Sequence, residues 1–465
     1  MERKKVFIRI GLQSLVVGMI VAVLALLVMG FSSGWQAAEL PLKVLRLGGA
    51  AALIYLLFYR LPLAALQGLW AYYKRGKAQT NTLRIADRFV RNPTAMFGTI
   101  VLLYAVVLFI GAHFFAPDTS PYAAQQVNEL PFVAPGYKAR LFQVPVEREQ
   151  AKAGWWQQLI SGRQEAYRLI AIQSMDADTA GIHVERFFGE GLPGQQLFFS
   201  WTDMGVEQPE NAEQAKKSAA DFTIDRTYIL GTDDLGRDYL SRMIVGIRVS
   251  LAVGAIAVFI ALLIGVPIGA AAGFYKLHPP VWKVGKRKWK LPADSWIMWA
   301  MSVLWAIPTL LLVFPIVFAF GQQYYTIFVA VGITMWVDIA RIVRGQVMQV
   351  REMEYIEATR SFGFSNSRTI IRHILPNITG PLIVVTAANF AYAILTEAGL
   401  SFLGIGIQPP APSWGLMISK YKDNLITDPH LALIPGFAIT LLVLAFFLLG
   451  NGLRDAFDIR METGN

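Results

Sequence analysis

The sequence contains no cysteine, only five histidines, and only 16% charged residues in a chain of 465. Without cysteine there is no disulfide, no thiolate catalysis and no thiolate-ligated zinc, and the redox compartment leaves no mark. His113, His183, His278, His373 and His430 are scattered without HxxxH spacing, which speaks against a metal site. No GxxxxGK followed by Ser or Thr occurs. Lys77 and Lys286 each follow a glycine, but neither precedes Ser or Thr. The chain is therefore not expected to bind or hydrolyse ATP. A soluble protein carries about 25% charged residues. That deficit, with 55% hydrophobic residues and long apolar runs, describes an integral membrane protein. The net charge of +10 does not imply nucleic acid, because the basic residues cluster beside apolar runs, as the positive-inside rule requires.

A membrane span needs about 20 mostly apolar residues. Eight candidates follow: Ile10–Gly30, Val44–Tyr73, Thr94–Phe115, Ile247–Tyr275, Ser295–Phe320, Tyr325–Ile342, Ile378–Ser401 and Leu431–Leu449. A signal peptide competes for the first, but its apolar region would be only about 7–15 residues, which favours an uncleaved helix. From a cytoplasmic start, eight spans bring both termini to the cytoplasm. The same count puts the basic connections YKRGKAQTNTLRIADRFVRN and KLHPPVWKVGKRKWKLPAD on that side. The polar stretch from Ala116 to about Arg242 is too long for a simple connection and reads as a folded unit. RLIAIQS, GIHVERFF and QLFFSW suit short strands, and GWWQQLISGRQEAYRLI suits a helix. The expected fold is an all-α polytopic membrane protein of about eight transmembrane helices with a small mixed α/β extracytoplasmic insert.

One polar stretch between apolar runs, EYIEATRSFGFSNSRTIIRHILPN (Glu354 to Asn377), is too patterned for a slack loop. Ile356 to Phe362 suits a helix, Gly363 a corner and Ser365 an N-cap for a second helix. There Ile370, Ile371, Ile374 and Leu375 share one face, Arg368 and Arg372 lie outside it, and Pro376 is expected to stop the helix. Two readings stay open on this physics: an amphipathic connection resting on the membrane, or a docking element for a soluble partner.

Other residues carry paired readings. Gly231 to Asp238, with Asp233, Asp234, Arg237 and Asp238, lacks EF-hand spacing and suits an Asx-capped turn leading to an amphipathic helix on the outer surface. Glu397, near the outer end of a span, is a functional candidate by cost alone; a cap or an ion pair with Arg248 explains it equally. Trp414 suits an interfacial anchor, with ligand stacking the lesser reading. Asp294 suits an N-cap.

The order Glu357, Ala358, Gly363, Ile374, Leu375, Pro376 resembles the EAA loop of ABC importer permeases, with Thr359 where that family often has alanine. RFVRNPTAMFGTIVLLYAVVLFIGAHFFAP, ILGTDDLGRDYLSRMIVGIRVSLAVG, LTEAGLSFLGIGIQPPAPSWG and GNGLRDAFDIR resemble the C-type permease subunits of dipeptide, oligopeptide and nickel importers. The likeness covers roughly Leu83–Tyr122 and Tyr228–Arg460.

The resemblance implies that Glu357, Ala358 and Thr359 lie on a coupling helix seated in an ATPase subunit. Gly363 would be the corner allowing approach, with Ile374, Leu375 and Pro376 completing the motif. Asp233, Asp234, Arg237, Asp238, Glu397 and Trp414 would belong to an outer gate or a binding-protein contact. The implied partners are a homologous second permease, two ATP-binding cassette ATPases holding ATP and Mg, an extracytoplasmic solute-binding protein and the lipid bilayer of the bacterial inner membrane. No cofactor is expected in this chain. The corresponding organisation is 1–80 for two extra helices, 81–116 for the first core helix, 117–228 for the insert and 229–465 for the permease core, with coupling helices at 351–376. A stand-alone secondary transporter or channel is the alternative, but there are almost no mid-span acids and no convincing inverted repeat. A membrane enzyme with its site in the insert would need a catalytic constellation that His183 and its neighbouring acids do not spell out.

Overall fold

The computed structural model describes residues 55–74, 81–146, 155–163, 167–189, 191–276, 281–284, 287–290 and 293–457. The expected first span, the start of the second, His278, Lys77, Lys286 and the C-terminal tail lie outside the described residues. The described chain is mostly helical. Helix α1 (Leu61–Lys74) belongs to the second expected span, and α2 (Asn81–Arg91) is a short basic helix that leads to α3 (Pro93–Phe115). The Asn92 side chain accepts the N–H groups of Thr94 and Ala95 at 3.1 and 3.2 Å, and Pro93 opens the first turn. A capping side chain and a proline at the first position start a helix for the same reason: both answer N–H groups that have no partner inside it.

The segment between α3 and the next long helix folds as a five-stranded antiparallel sheet, β1 (Tyr137–Pro145), β2 (Tyr167–Ala177), β3 (Gly181–Arg186), β4 (Gln195–Ser200) and β5 (Thr223–Tyr228), in the order β4-β3-β2-β1-β5. Two helices, α4 (Trp155–Ser161) and α5 (Ala212–Ala220), accompany it. Phe142, Ile172, Ile182, Val184 and Trp201 form its core with Ala215 and Ala219 of α5. The helix expected across GWWQQLISGRQEAYRLI is confined to α4. From Tyr167 the chain is strand, because Leu169 to Ile172 are wanted in the sheet core.

Helix α6 (Tyr239–Tyr275) starts earlier than the expected Ile247, because Asp238 caps it by accepting from the Ser241 N–H at 2.8 Å. A hairpin of β6 (Val281–Val284) and β7 (Arg287–Lys290) follows. The span expected to run unbroken from Ser295 to Phe320 is instead α7 (Ala293–Trp305) and α8 (Thr309–Phe320), bent by 86°. The cause is Pro308, which pushes the residue before it out of helical geometry. Helix α9 (Tyr324–Arg351) runs past the expected Ile342. The polar stretch holds α10 (Glu354–Ser361) and α11 (Asn366–Thr369), and after it come α12 (Thr379–Phe402), α13 (Trp414–Tyr421) and α14 (His430–Phe457). Among the described residues five helices are long and apolar enough to cross a membrane, or six if the bent pair is one span.

The centre of the bundle is the α6–α9 pair. Gly265, Gly269 and Gly273 fall on one face of α6, four residues apart. A Cβ at Gly265 would stand 2.6 Å from the Trp336 carbonyl, one at Gly269 would meet Ala340, and one at Gly273 would stand 2.6 Å from the Arg344 carbonyl. A stripe of residues without side chains lets two backbones close where lipid supplies no hydrophobic drive.

Candidate coupling surface and outer polar network

The polar stretch folds as two short helices, α10 (Glu354–Ser361) and α11 (Asn366–Thr369). Gly363 adopts φ +73°. Its N–H donates to the Arg360 carbonyl at 2.8 Å, and the Phe364 N–H donates back to the Thr359 carbonyl at 3.1 Å. That pair of bonds is a Schellman turn, which answers the last carbonyls of a helix and favours glycine at its left-handed position. Ser365 then caps α11, its hydroxyl accepting from the Arg368 N–H at 3.4 Å. The expected corner and cap are both present.

Burial divides the stretch sharply. Ile356 and Ile374 are buried in the same core as Phe274, Val347 and Val350, which ties the stretch to the ends of α6 and α9. Glu357, Ala358, Gly363 and Pro376 are exposed, and Leu375 is half-buried. Thr359 is buried, and its hydroxyl donates to the Ile356 carbonyl at 2.7 Å and lies 3.4 Å from the Thr369 hydroxyl. Thr359, where the family often has alanine, thus stitches the two helices together, which an alanine methyl does not do.

Two expectations fail here. Ile371 is exposed, because an i→i+5 bulge at Ile370–Ile374 rotates it off the apolar face. Pro376 does not end the helix. It sits in the first turn of a tight 3₁₀ segment, Leu375–Ile378, where its missing N–H is not needed, and the chain winds on into α12.

Sequence reasoning missed three apolar side chains, Met353, Tyr355 and Phe362, which stand exposed around α10. It also missed Arg351, a buried side chain whose Nη1 donates to the carbonyls of Gly273 and Phe274 at 3.0 and 2.9 Å. Arg351 thereby locks the end of α9 to the end of α6. The only sequence signal was a basic residue in a last helical turn.

At the other end of α6 lies a knot of charge. Asp233 is fully buried and accepts from the Leu235 N–H at 2.9 Å, the Arg237 N–H at 3.0 Å and Arg237 Nε at 2.6 Å. Arg242 Nε lies 3.4 Å from the same carboxylate. Asp238, Asp233 and Arg237 are thus buried rather than displayed on an outer surface, because Thr232, Asp118 and the 127–133 backbone close over them. Thr232 donates to the Leu130 carbonyl at 2.5 Å, and the Asp118 N–H donates to the Ser241 hydroxyl at 2.8 Å.

Asp234 accepts from Lys420 Nζ and the Tyr421 hydroxyl, each at 2.7 Å, joining the knot to α13. Burial alone would raise the Asp234 carboxyl, but those two donors outweigh it and hold its pKa below the ordinary value. A lowered folded pKa means that the stabilisation is present above about pH 4 and is lost as pH falls through the folded value. The thermal midpoint of the purified protein is expected to drop between pH 5 and 3 by more than that of Asp234→Asn. Coincident pH profiles would show that the contact contributes nothing.

Trp414 is no interfacial anchor. It is buried, with Nε1 donating to the Met243 carbonyl at 3.0 Å, because Gly246 leaves room for the indole against α6. Glu397 is buried and accepts from the Ser401 hydroxyl at 2.7 Å, while Arg248, its expected partner, donates to the Phe109 and Ile160 carbonyls at 2.9 and 2.5 Å. Asp294 does not cap α7. It lies within the helix and makes a two-pronged pair with Arg344 at 2.6 and 2.8 Å.

A helical membrane core with a polar stretch rooted in it at one end can be compared with known transport proteins. Residues 265–463 match the model of the binding-protein-dependent transport system inner membrane component. A glutathione transport system permease protein, GsiD of Pectobacterium atrosepticum, is 39% identical over 234 residues, covering 50% of this chain and 73% of that relative. This chain belongs to the ABC importer permeases. The dipeptide permease DppC of Alkalihalophilus pseudofirmus is 39% identical over 50% of this chain and 72% of its own. The oligopeptide permease OppC of Bacillus subtilis is 38% identical over 52% of this chain and 75% of its own. A solved inward-facing MetNI methionine ABC transporter aligns with 47% of this chain and 97% of its own at 17% identity and a TM-score of 0.37, too loosely to add to the assignment. This permease is a multi-pass inner membrane protein whose family implies ATPase and binding-protein partners.

Proposed function

We infer that this permease forms half of the translocation path of a peptide importer. It pairs with a homologous permease, two ATPase subunits holding ATP and Mg, and an extracytoplasmic solute-binding protein. The N- and C-termini lie in the cytoplasm, and the sheet insert and the Asp233 knot lie outside. The stretch 1–80 and the insert at 117–228 are additions to a core at 81–116 and 229–465.

The reading is carried by one observation: α10 is exposed along Glu357 and Ala358 while Ile356 beneath them is buried with the ends of α6 and α9. A partner that moves α10 therefore moves the bundle. Glu357, Ala358, Thr359, Gly363, Ile374, Leu375 and Pro376 form the coupling element, and exposed Phe362 and Met353 supply apolar area for an ATPase cleft. ATP-driven closure of the ATPases rocks the bundle between inward- and outward-open states. The peptide cargo is supported by the names of the relatives, which are permeases for glutathione, dipeptides and oligopeptides.

Affinity purification of the tagged chain from its native membranes, with mass spectrometry, tests this. A Walker-motif ATPase and a second permease are expected to copurify. The same partners are expected with a variant lacking Tyr137 to Thr227, whose ends are adjacent because Tyr137 pairs with Tyr228 in the sheet. A chain that purifies alone, yet transports in liposomes without ATP, would restore the secondary transporter.

A further inference from the structure

Polar groups at the break between α7 and α8 serve neither the coupling surface nor the outer knot. Helices α7 and α9 run antiparallel: Asp294 meets Arg344, Ser302 meets Arg341 at 3.5 Å, and Trp305 meets Asp338 at 3.2 Å. Helix α9, with 28 residues, is about 42 Å long at ~1.5 Å per residue, and Asp338 lies near its middle. Thr334, Asp338, Arg341 and Gly345 follow at helical spacing and form one stripe. Asp338 and Gly345 are exposed, and Arg341 is half-buried.

Among the described residues, neither Asp338 nor Arg341 has an ion-pair partner. Trp305 stands between them: its Nε1 donates to Asp338 Oδ1, and its ring carries the Arg341 guanidinium 4.3 Å from the centroid. Arg341 Nε is buried and without a hydrogen-bond partner. Directly after Trp305, the broken backbone of Ala306, Ile307 and Pro308 is exposed.

Two physical rules converge on this place. Charged side chains within a membrane span face a partner or water, because hydrocarbon makes them expensive. Irregular backbone at membrane depth is tolerated only where protein buries it or water reaches it. Here the break is exposed and the charges are unpaired.

We propose that Asp338, Arg341 and Trp305 form a substrate contact inside the translocation path, receiving the ammonium of a zwitterionic peptide at Asp338 and its carboxylate at Arg341. The proposal rests on the peptide reading above. The guanidinium fork suits a carboxylate, and the half-buried Arg341 leaves part of that fork accessible to one. Residues three apart on a helix hold their Cβ atoms about 5–6 Å apart. Two extended peptide residues span at most ~7 Å, so one short peptide reaches both charges.

The missing cysteines supply the test. Thr334→Cys and Gly345→Cys each put a single thiol on the stripe, and Gly345 has open space for it. In the assembled transporter both thiols are expected to react with a charged, membrane-impermeant reagent, read on this subunit after gel separation. Alanine peptides of two to five residues are expected to slow that reaction; their N-acetylated, C-amidated forms are not. In proteoliposomes with the binding protein, Asp338→Asn and Arg341→Gln are expected to raise the KM for uptake of those peptides about 10- to 100-fold, with Arg341→Lys recovering part of the loss.

Thiols that react in the isolated chain but not in the assembly would overturn the proposal and place the stripe against the second permease. Equal protection by blocked peptides, or wild-type KM in both charge variants, would overturn it and leave peptide transport standing. A wild-type assembly that takes up none of the peptides would overturn the peptide reading first and the proposal with it.

Discussion

Gly363→Val is expected to cut ATP-driven uptake about 5- to 30-fold while the chain still inserts in the membrane, and Gly363→Asn is expected to retain most of it. Gly363 holds φ +73° at the corner between α10 and α11, and a Cβ there would meet nothing within 4 Å. Packing inside the chain therefore does not demand glycine; backbone conformation does. The left-handed region costs an ordinary residue about 1–2 kcal/mol, and a β-branched side chain suffers most there, whereas asparagine tolerates it. A strain of that size shifts the population of the closed corner roughly 5- to 30-fold. Because Ile356 and Ile374 on either side are fixed in the core, the strain is relieved by reorienting exposed Glu357 and Ala358, the face offered to the ATPase. Uptake measured in proteoliposomes, beside copurification of the ATPase, separates two causes. Loss with valine but not asparagine assigns the corner to backbone geometry. Loss with both assigns it to close approach by the partner. Wild-type uptake by Gly363→Val would remove the corner from the coupling mechanism.

The second large effect is expected at the opposite end of α6. Asp233→Ala takes the nearby carboxylate from buried Arg242 and leaves buried Arg237 with only Asp234, 3.8 Å away. Removing one member of a buried pair costs about 3–5 kcal/mol, because the remaining charge stays desolvated without compensation. Here the cost is at the upper end, since Asp233 also answers the Leu235 and Arg237 N–H groups that shape the turn. The variant is expected to show a lowered thermal midpoint in detergent and protease cleavage near 231–238. Asp233→Ala combined with Arg237→Ala is expected to cost less than the two single changes added together, the mark of a coupled pair. An unchanged midpoint in Asp233→Ala would mean that the knot is held by the surrounding backbone alone. Because the Asp118 N–H and the Thr232 hydroxyl join the same region to the insert, loosening it is also expected to free the sheet from the membrane core.

Much of this was legible because it is local. The Gly363 corner and the Ser365 cap are decided by a few neighbouring residues. Apolar length announced the spans beginning near Thr94, Ile247, Tyr325, Ile378 and Leu431, although their ends shifted where Asp238 adds a cap or where polar residues after Ile342 continue a helix. Several of the misreadings have distant partners. Asp294 has the composition of a cap, but Arg344, fifty residues away, claims it. Trp414 has the composition of an anchor, but Gly246 opens a socket for it on α6. Glu397 was offered Arg248, which instead holds the carbonyls of Phe109 and Ile160. The acid-rich turn looked solvated because the residues that bury it, near Asp118 and Leu130, lie across the whole insert.

By itself the sequence determined that this chain lives in a membrane, contains no Walker A run and carries the ordered motifs of an importer permease. Those properties depend on composition and on short runs of residues, which act wherever the chain places them. Tertiary structure alone decided which charges are paired and which wait unpaired. Asp233 and Asp294 are matched with arginines inside the protein, whereas Asp338 and Arg341 are kept apart by Trp305 beside a broken helix. The cost of a charge in a membrane depends on what lies within a few ångströms of it, and long-range packing brings those neighbours together.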